Sequence, residues 1–312
     1  MKLLVTGADG FVGRHMVRRL VREGYRIAAG CRPGGRPVDW GGADVTVVPL
    51  ELTDDASVRG ALESDPDAVV HLAAVASNRE ATADPGHAWT VNAAGTARLA
   101  EALGRRREEG RGDARLLLVS SGEVYGPGAS APRRESDPIA PASPYAASKA
   151  GAELAALEVW RRTGLPVVVA RPFTHTGPGQ ETRFVLPAFV ERLREAKITG
   201  ARAVRSGNLD PIRDLLDVRD MVEAYLLLLR SGEPGEIYNV ARGEGSSVRE
   251  FFDQLSRLIG VTVEPAIEPS LARASDIPHL VGDSTKLRRA TGWAPSRSLE
   301  QTLRGLVDAE AY

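Results

Sequence analysis

The sequence predicts an α/β fold, a doubly wound parallel sheet followed by a smaller C-terminal lobe, and three observations carry that prediction. Short continuous apolar runs, rich in β-branched residues, recur through the first half of the chain: KLLVTG, YRIAAGC, DVTVVPL, DAVVHLAA, ARLLLVSS and LPVVVARP. Stretches of helical periodicity separate them, the pattern of strands buried on both faces beneath covering helices. A glycine-rich turn follows the first run and opens the first helical stretch. After Arg171 the rhythm loosens into RPFTHTGPGQ, with prolines, glycines and shorter elements, which indicates the small lobe.

Taken in order, the periodic stretches predict helices near 11–23, 55–63, 87–104, 144–163, 184–197, 217–230, 247–260 and 298–310. GRRREEGRGDAR, residues 104–115, reads as a solvated loop. Residues 1–172 are expected to form the sheet domain, with VRDMVEAYLLLL and EIYNVA, near 214–242, returning to it. Residues 173–213 and 243–312 are expected to form the lobe over the C-terminal ends of the strands.

At 312 residues and 43% hydrophobic content the chain can bury a substantial core. Lysine plus arginine (40) nearly balances aspartate plus glutamate (41), so no basic field argues for nucleic acid or an anionic membrane. A small-molecule partner is the default. The single cysteine, Cys31, leaves no internal disulfide and no multi-cysteine metal site, which fits a reducing cytoplasm. The apolar start Met1–Val5 stops at Thr6-Gly7 and reads as a strand rather than a signal peptide. No apolar run approaches the roughly 20 residues that span a bilayer.

The turn VTGADGFVG places Gly7, Gly10 and Gly13 in a G-x-x-G-x-x-G pattern between a strand and a helix, with Phe11 and Val12 inside it. In a Rossmann-type sheet such glycines make the tight turn, let the backbone approach a pyrophosphate and pack helix against strand. The alternative is a merely tight strand-to-helix turn. An acid at the tip of the second strand would bind the adenosine ribose and repel a 2′-phosphate, but the tip reads GCRPGGR. Arg32 and Arg36 there favour NADP(H); ordinary exposed loop charges are the other reading. Glu51 and Leu52 end the third strand beside the expected adenine, and Leu72, Ala73 and Ala74 follow the fourth along the cofactor path. His71 reads as a packed strand residue.

SPYAASKAG, residues 143–151, sets Lys149 four residues after Tyr145 in a chain whose other lysines are Lys2, Lys197 and Lys286. Ser143 can cap a helix that Pro144 opens, and chance alone would then account for the pair. On one helix face, however, Tyr145 and Lys149 meet at a single site, where an ammonium pulls the phenol's pKa from about 10 toward neutrality and makes an acid–base catalyst. The fifth strand ends LLLVSSGEVYG, bringing Ser120, Ser121 and Glu123 to the ligand-binding edge of the sheet. A hydroxyl at Ser121 can grip a carbonyl oxygen.

VTGADGFVG, HLAA, VNAAGT, VSSGEVYG, SPYAASKAG, RPFTHTGPG and RDLLDVRDM together resemble the extended short-chain dehydrogenases/reductases that act on nucleotide-linked sugars, nearly end to end. RPFTHTGPGQ, SGNLDPIRDLLDVRD, GEIYNVARG and ASDIPHLVGDSTKLRRATGW are most similar to the GDP-4-keto-6-deoxy-D-mannose reductases. The resemblance implies Ser121, Tyr145 and Lys149 as the catalytic set, with Asn92 supporting them on the cofactor side. It implies that Arg171 and Arg213 reach the nucleotide sugar, that Arg273 and Asp276 lie near the nucleotide, and that His175 and Gln180 border the sugar. Salt bridging within the lobe is the competing role for these arginines, and Trp293 reads as packing there. Thr174 stands where those reductases usually have asparagine, which leaves the hexose and the base open. Many dehydratases of the superfamily carry an acid beside the catalytic hydroxyl; here Gly122 occupies one such position and Glu123 the next.

The expected activity is therefore NADPH-dependent reduction of a GDP- or dTDP-4-keto-6-deoxyhexose, in a homodimer joined through the helices at 87–104 and 144–163, with no metal. A dTDP-sugar ketoreductase of deoxysugar biosynthesis, an epimerase or a dehydratase are the enzymatic alternatives. A regulatory protein that senses NADP(H) without turnover is the non-enzymatic one.

Overall fold

The computed structural model describes residues 1–35, 38–42, 44–128, 130–271 and 277–309. The six apolar runs become strands β1 (Lys2–Thr6), β2 (Arg26–Cys31), β3 (Val45–Pro49), β4 (Ala68–His71), β5 (Arg115–Val119) and β6 (Val167–Pro172). A seventh, Ile237–Val240, returns beside β6. Every pairing is parallel, and the sheet runs Ile237–Val240, β6, β5, β4, β1, β2, β3. The chain reverses its direction of winding between β4 and β1. In such sheets the ligand crevice opens there, outside the carboxyl ends of the strands.

The connecting helices are α1 (Phe11–Arg22), α2 (Asp55–Leu62), the short α3 (Asn78–Ala83) and α4 (Pro85–Trp89), α5 (Gly95–Glu108) and α6 (Pro144–Thr163). A π-helical turn, Thr90–Ala94, joins α4 to α5. Ser143 caps α6 by accepting from the Ala146 amide (3.2 Å), Pro144 opens it, and left-handed Gly164 ends it. The predicted helix at 87–104 is thus three pieces, and its last piece runs to Glu108. Arg105, Arg106 and Arg107 fall in its last turn, where cations complement the helix dipole, so the expected solvated loop starts later.

Two cores flank the sheet. On one face Met16, Val17 and Leu20 of α1 meet Met221, Tyr225 and Leu228 of helix α8, which follows helix α7 (Val185–Thr199) and spans Val218–Ser231. On the other, α2, α5 and α6 cover β4, β5 and β6 through residues such as Val58, Leu99, Leu103, Ala156 and Val159. A third cluster lies within residues 186–306, where α7 packs on helices α9 (Val248–Ile259), preceding α10 (Thr285–Thr291), and α11 (Leu299–Asp308). Phe189 and Phe252 meet there edge to face, centroids 5.2 Å apart. Trp293 is 4% exposed and donates its indole N–H to the Asp220 carbonyl, 3.0 Å away. Among the described residues no helix is long and apolar enough to cross a membrane, and no group of three or more His, Cys, Asp or Glu is arranged to hold a metal ion.

Candidate active site

β1 ends at Thr6 and passes into the glycine turn. Gly7 adopts φ +64°, where a Cβ would meet the Ala73 backbone at 2.9 Å, and a Cβ on Gly13 would fall 2.1 Å from the Gly7 carbonyl oxygen. Gly10 caps α1 with no side chain, and the first turn of α1 carries no acid. Its free N–H groups, at the positive end of the helix dipole, line a cradle that any side chain would fill. These features fit a dinucleotide pyrophosphate. Phe11 and Val12 pack partly into the sheet core beneath it. Glu51 is half-buried and accepts from the amide and hydroxyl of Thr53 at 3.1 and 2.9 Å. Leu52 is buried against α5, where a Cβ on Gly95 would meet it at 2.8 Å.

A hydrogen-bonded chain crosses the crevice from this turn. The Thr6 hydroxyl accepts from the Leu72 and Ala73 amides (3.1 and 3.0 Å), while Ala74 lies half-buried just beyond. Thr6 therefore donates to His71 Nδ1 (2.8 Å), which leaves the proton on Nε2 to be donated to Thr96 Oγ1 at 3.0 Å. The Thr96 hydroxyl in turn donates to the Asn92 carbonyl (2.6 Å). Burial, with Lys149 nearby, pushes the His71 pKa down to about 3, so it is a neutral structural link. Asn92, in the π-helical turn, is 1% exposed; its side chain accepts from the Val75 amide (2.8 Å) and donates to Ser148 Oγ (2.9 Å), whose hydroxyl donates to the Tyr145 carbonyl (2.8 Å). Asn92 thus acts on the backbone of α6.

Ser121, Tyr145 and Lys149 converge at the end of β5. Ser121 caps the short 3-10 helix Gly122–Tyr125, accepting from the Glu123 amide (3.1 Å), and its hydroxyl also hydrogen-bonds the half-buried Tyr145 phenol. Burial raises the phenol's pKa, the Glu123 carboxylate raises it further, and the Ser121 hydrogen bond works against both. Lys149 Nζ donates to the Val119 carbonyl (2.7 Å), and burial lowers the ammonium to about 8 despite the Glu153 carboxylate. Lys149 is thus brought to the same strand end as Tyr145 with its ammonium on β5, while burial keeps the phenol's pKa above its ordinary value.

Sequence reasoning did not single out Glu153, one turn beyond Lys149 and 3% exposed. It accepts from Ser120 Oγ (2.5 Å) and from both Nε (2.9 Å) and Nη2 (2.6 Å) of Arg171. The Arg171 guanidinium also lies 4.8 Å above the Tyr125 ring. Arg171 and Ser120 are thus placed in a buried ion-pair cluster rather than on an open sugar-facing wall. Asn78, also unremarked in the sequence, donates to Glu123 Oε2 (2.7 Å) from the first turn of α3.

The 173–180 loop meets the glycine turn. His175 stacks on Phe11, centroids 6.2 Å apart, and donates from Nδ1 to the Phe173 carbonyl (3.0 Å). Gln180 accepts from the Thr176 hydroxyl (2.6 Å) and donates to the His175 carbonyl (3.2 Å), closing the loop on itself. Thr174 is half-buried, and its carbonyl accepts from the Leu216 amide (2.9 Å). Arg213 lies on the strand Ile212–Asp214 and donates to the Ile277 carbonyl (2.6 Å). Arg36, Arg273 and Asp276 lie outside the described residues.

The family model described as GDP-mannose 4,6 dehydratase matches residues 4–306. GDP-6-deoxy-D-mannose reductase of Pseudomonas aeruginosa is 35% identical over 98% of this chain and 96% of its own length. The solved structure of RMD from P. aeruginosa complexed with NADPH superposes with a TM-score of 0.82 at 33% identity, covering 98% of this chain and 97% of that one. UDP-glucose 4-epimerase of Thermus thermophilus, solved in complex with NAD, gives a TM-score of 0.87 at 31% identity, covering 99% and 98%. Seven parallel strands in Rossmann order, a glycine cradle and a Ser-Tyr-Lys cluster at the strand ends agree with that match, and the chain belongs to the GDP-mannose 4,6-dehydratase family of extended short-chain dehydrogenases/reductases.

Proposed function

We propose that this protein is an NADPH-dependent 4-ketoreductase converting an NDP-4-keto-6-deoxyhexose, with GDP as the base, to the NDP-6-deoxyhexose. The observation that carries the reading is the position beside the catalytic hydroxyl. Gly122 supplies no acid at the first position after Ser121, where a Cβ would meet three atoms of the Phe173 ring at 3.1 Å, and the carboxylate at the next position, Glu123, is engaged by Asn78. The site instead holds a protonated phenol next to a serine hydroxyl. A reductase needs that pair: a donor to hold the carbonyl oxygen and an acid to protonate it as it becomes an alcohol.

A nicotinamide cofactor, when bound, supplies the hydride. In this reading Ser121 Oγ orients the C4 carbonyl and Tyr145 Oη delivers the proton to its oxygen. Lys149 holds positive charge on the cofactor side of the site and, by favouring the phenolate, eases release of the phenol's proton to the carbonyl oxygen. Asn92 and Ser148 fix the backbone at Tyr145. His175, Gln180, Thr174 and Arg213 border the sugar, with Arg273 and Asp276 toward the nucleotide, in a lobe made of residues 173–213 and 243–312. A second copy would pair through α4 to α6, where Trp89 and Leu154 are 46% and 62% exposed.

Likeness to the P. aeruginosa reductase supports GDP, and Thr174 keeps a dTDP-ketosugar as the second reading. The test is a panel of GDP- and dTDP-4-keto-6-deoxyhexoses incubated with NADPH, with the product sugar assigned by NMR. Stoichiometric oxidation with the GDP sugar supports the reading; oxidation only with the dTDP sugar moves the base and keeps the chemistry.

A further inference from the structure

Cys31 is the last residue of β2 and follows Gly10 by the roughly twenty residues at which Rossmann folds place the acid that recognises the adenosine ribose. An acid nevertheless arrives at the same corner from another element. Asp9, in the glycine turn, sets its backbone N–H against the Cys31 thiol, and its carboxylate reaches over the turn that follows β2. A Cβ built on Gly35 would lie 3.0 Å from Asp9 Oδ2. The Cys31 thiol responds to the placement: burial first, then the Asp9 carboxylate, pushes it up to about 11. Arg32 begins the same turn, exposed, with its carbonyl accepting from the Gly35 amide (3.0 Å). The Asp9 carboxylate and the exposed residue Arg32 thus belong to one corner of the cofactor path, on two different elements.

We propose that Asp9 is a specificity-determining residue for the cofactor: its carboxylate accepts from an adenosine 2′-hydroxyl and opposes a 2′-phosphate, while Arg32 favours the phosphate. The proposal rests on the glycine turn being a dinucleotide site and is independent of the reaction carried out at Tyr145. It makes the ratio of affinities for the two nicotinamide cofactors a balance between two opposite charges at one corner, each able to be removed separately. Removing either charge moves the ratio, whichever cofactor the native protein prefers.

The test is calorimetric titration of NADP+ and NAD+ into the native protein, Asp9→Asn, Asp9→Ser and Arg32→Ala at one fixed ionic strength, with no substrate present. Asn preserves the side chain's size and Ser removes its reach, so folding and charge are separable. The NADP+ over NAD+ affinity ratio is expected to rise about tenfold in both Asp9 variants and to fall in Arg32→Ala, the size of one charge contact near a protein surface. An unchanged ratio in the Asp9 variants, or equal loss of both cofactors, overturns the proposal. Ketosugar reduction measured on the same samples separates this outcome from failure of the reductase reading, because the binding ratio is read without turnover.

Discussion

The ring of Phe173 is held between Gly122 and Gly282: a Cβ on Gly122 would lie 3.1 Å from three ring atoms, and one on Gly282 would lie 2.5 Å from Phe173 Cε2. Phe173 is 3% exposed and stacks on Tyr125, centroids 6.3 Å apart. The ring has no room to yield, so position 122 stays bare beside Ser121. Gly122→Asp is therefore expected to destabilise the fold by at least about 1–3 kcal/mol through overpacking. Urea unfolding measures it, and the cost should shrink when Phe173→Ala is added, a non-additivity that marks the contact.

Tyr145→Phe should keep cofactor affinity and lose most turnover, about 10²- to 10⁴-fold, the usual worth of a positioned acid–base group. Lys149→Ala should lower both. Equilibrium binding and single-turnover kinetics separate the two effects.

Lys149 sets an alkaline limit. Burial brings its ammonium to about 8, so below that pH the site carries a positive charge and above it a neutral amine. Activity is expected to fall as pH rises through about 8, and Lys149→Arg, which stays charged, should remove that limb from whatever activity it retains. A kcat/KM profile from pH 6 to 10 reads it directly.

The Glu153–Arg171 pair joins α6 to β6 with side chains 3% and 4% exposed. Arg171→Met leaves a buried carboxylate without its partner and should cost roughly 3–5 kcal/mol, whereas replacing both residues by apolar ones should cost much less. Thermal and denaturant unfolding of the two single variants and the double variant provide the comparison.

With Arg32 present and no acid at the strand tip, the native protein is expected to prefer NADPH over NADH. Arg32→Asp is expected to reverse the preference in paired kcat/KM measurements, and equal or better use of NADH by the native protein would contradict the assignment.

The sheet was legible because its central strands are buried on both faces, so Leu3 to Val5 or Val167 to Ala170 carry the pattern without interruption. Tyr145 and Lys149 were legible because helical spacing alone places them together. The role of Arg171 was not, because its partner Glu153 lies on a different element and only the packing of α6 on β6 unites them. Asp9 was overlooked for the same reason: the corner it serves is defined by β2, while the residue belongs to the turn after β1. The π-helical turn at Thr90–Ala94 left no trace in periodicity, since one inserted residue shifts the helical face without breaking it.

In the proposed ketoreduction, hydride leaves the cofactor for good. An epimerase or a dehydratase returns its hydride to the same sugar and regenerates the cofactor each cycle, whereas a ketoreductase does not. The most direct measurement follows NADPH absorbance while a GDP-4-keto-6-deoxyhexose is consumed by the native protein. One NADPH is expected to be oxidised per ketosugar reduced, and none with a nucleotide sugar that lacks the keto group. Conversion of the sugar with the NADPH pool unchanged would contradict it.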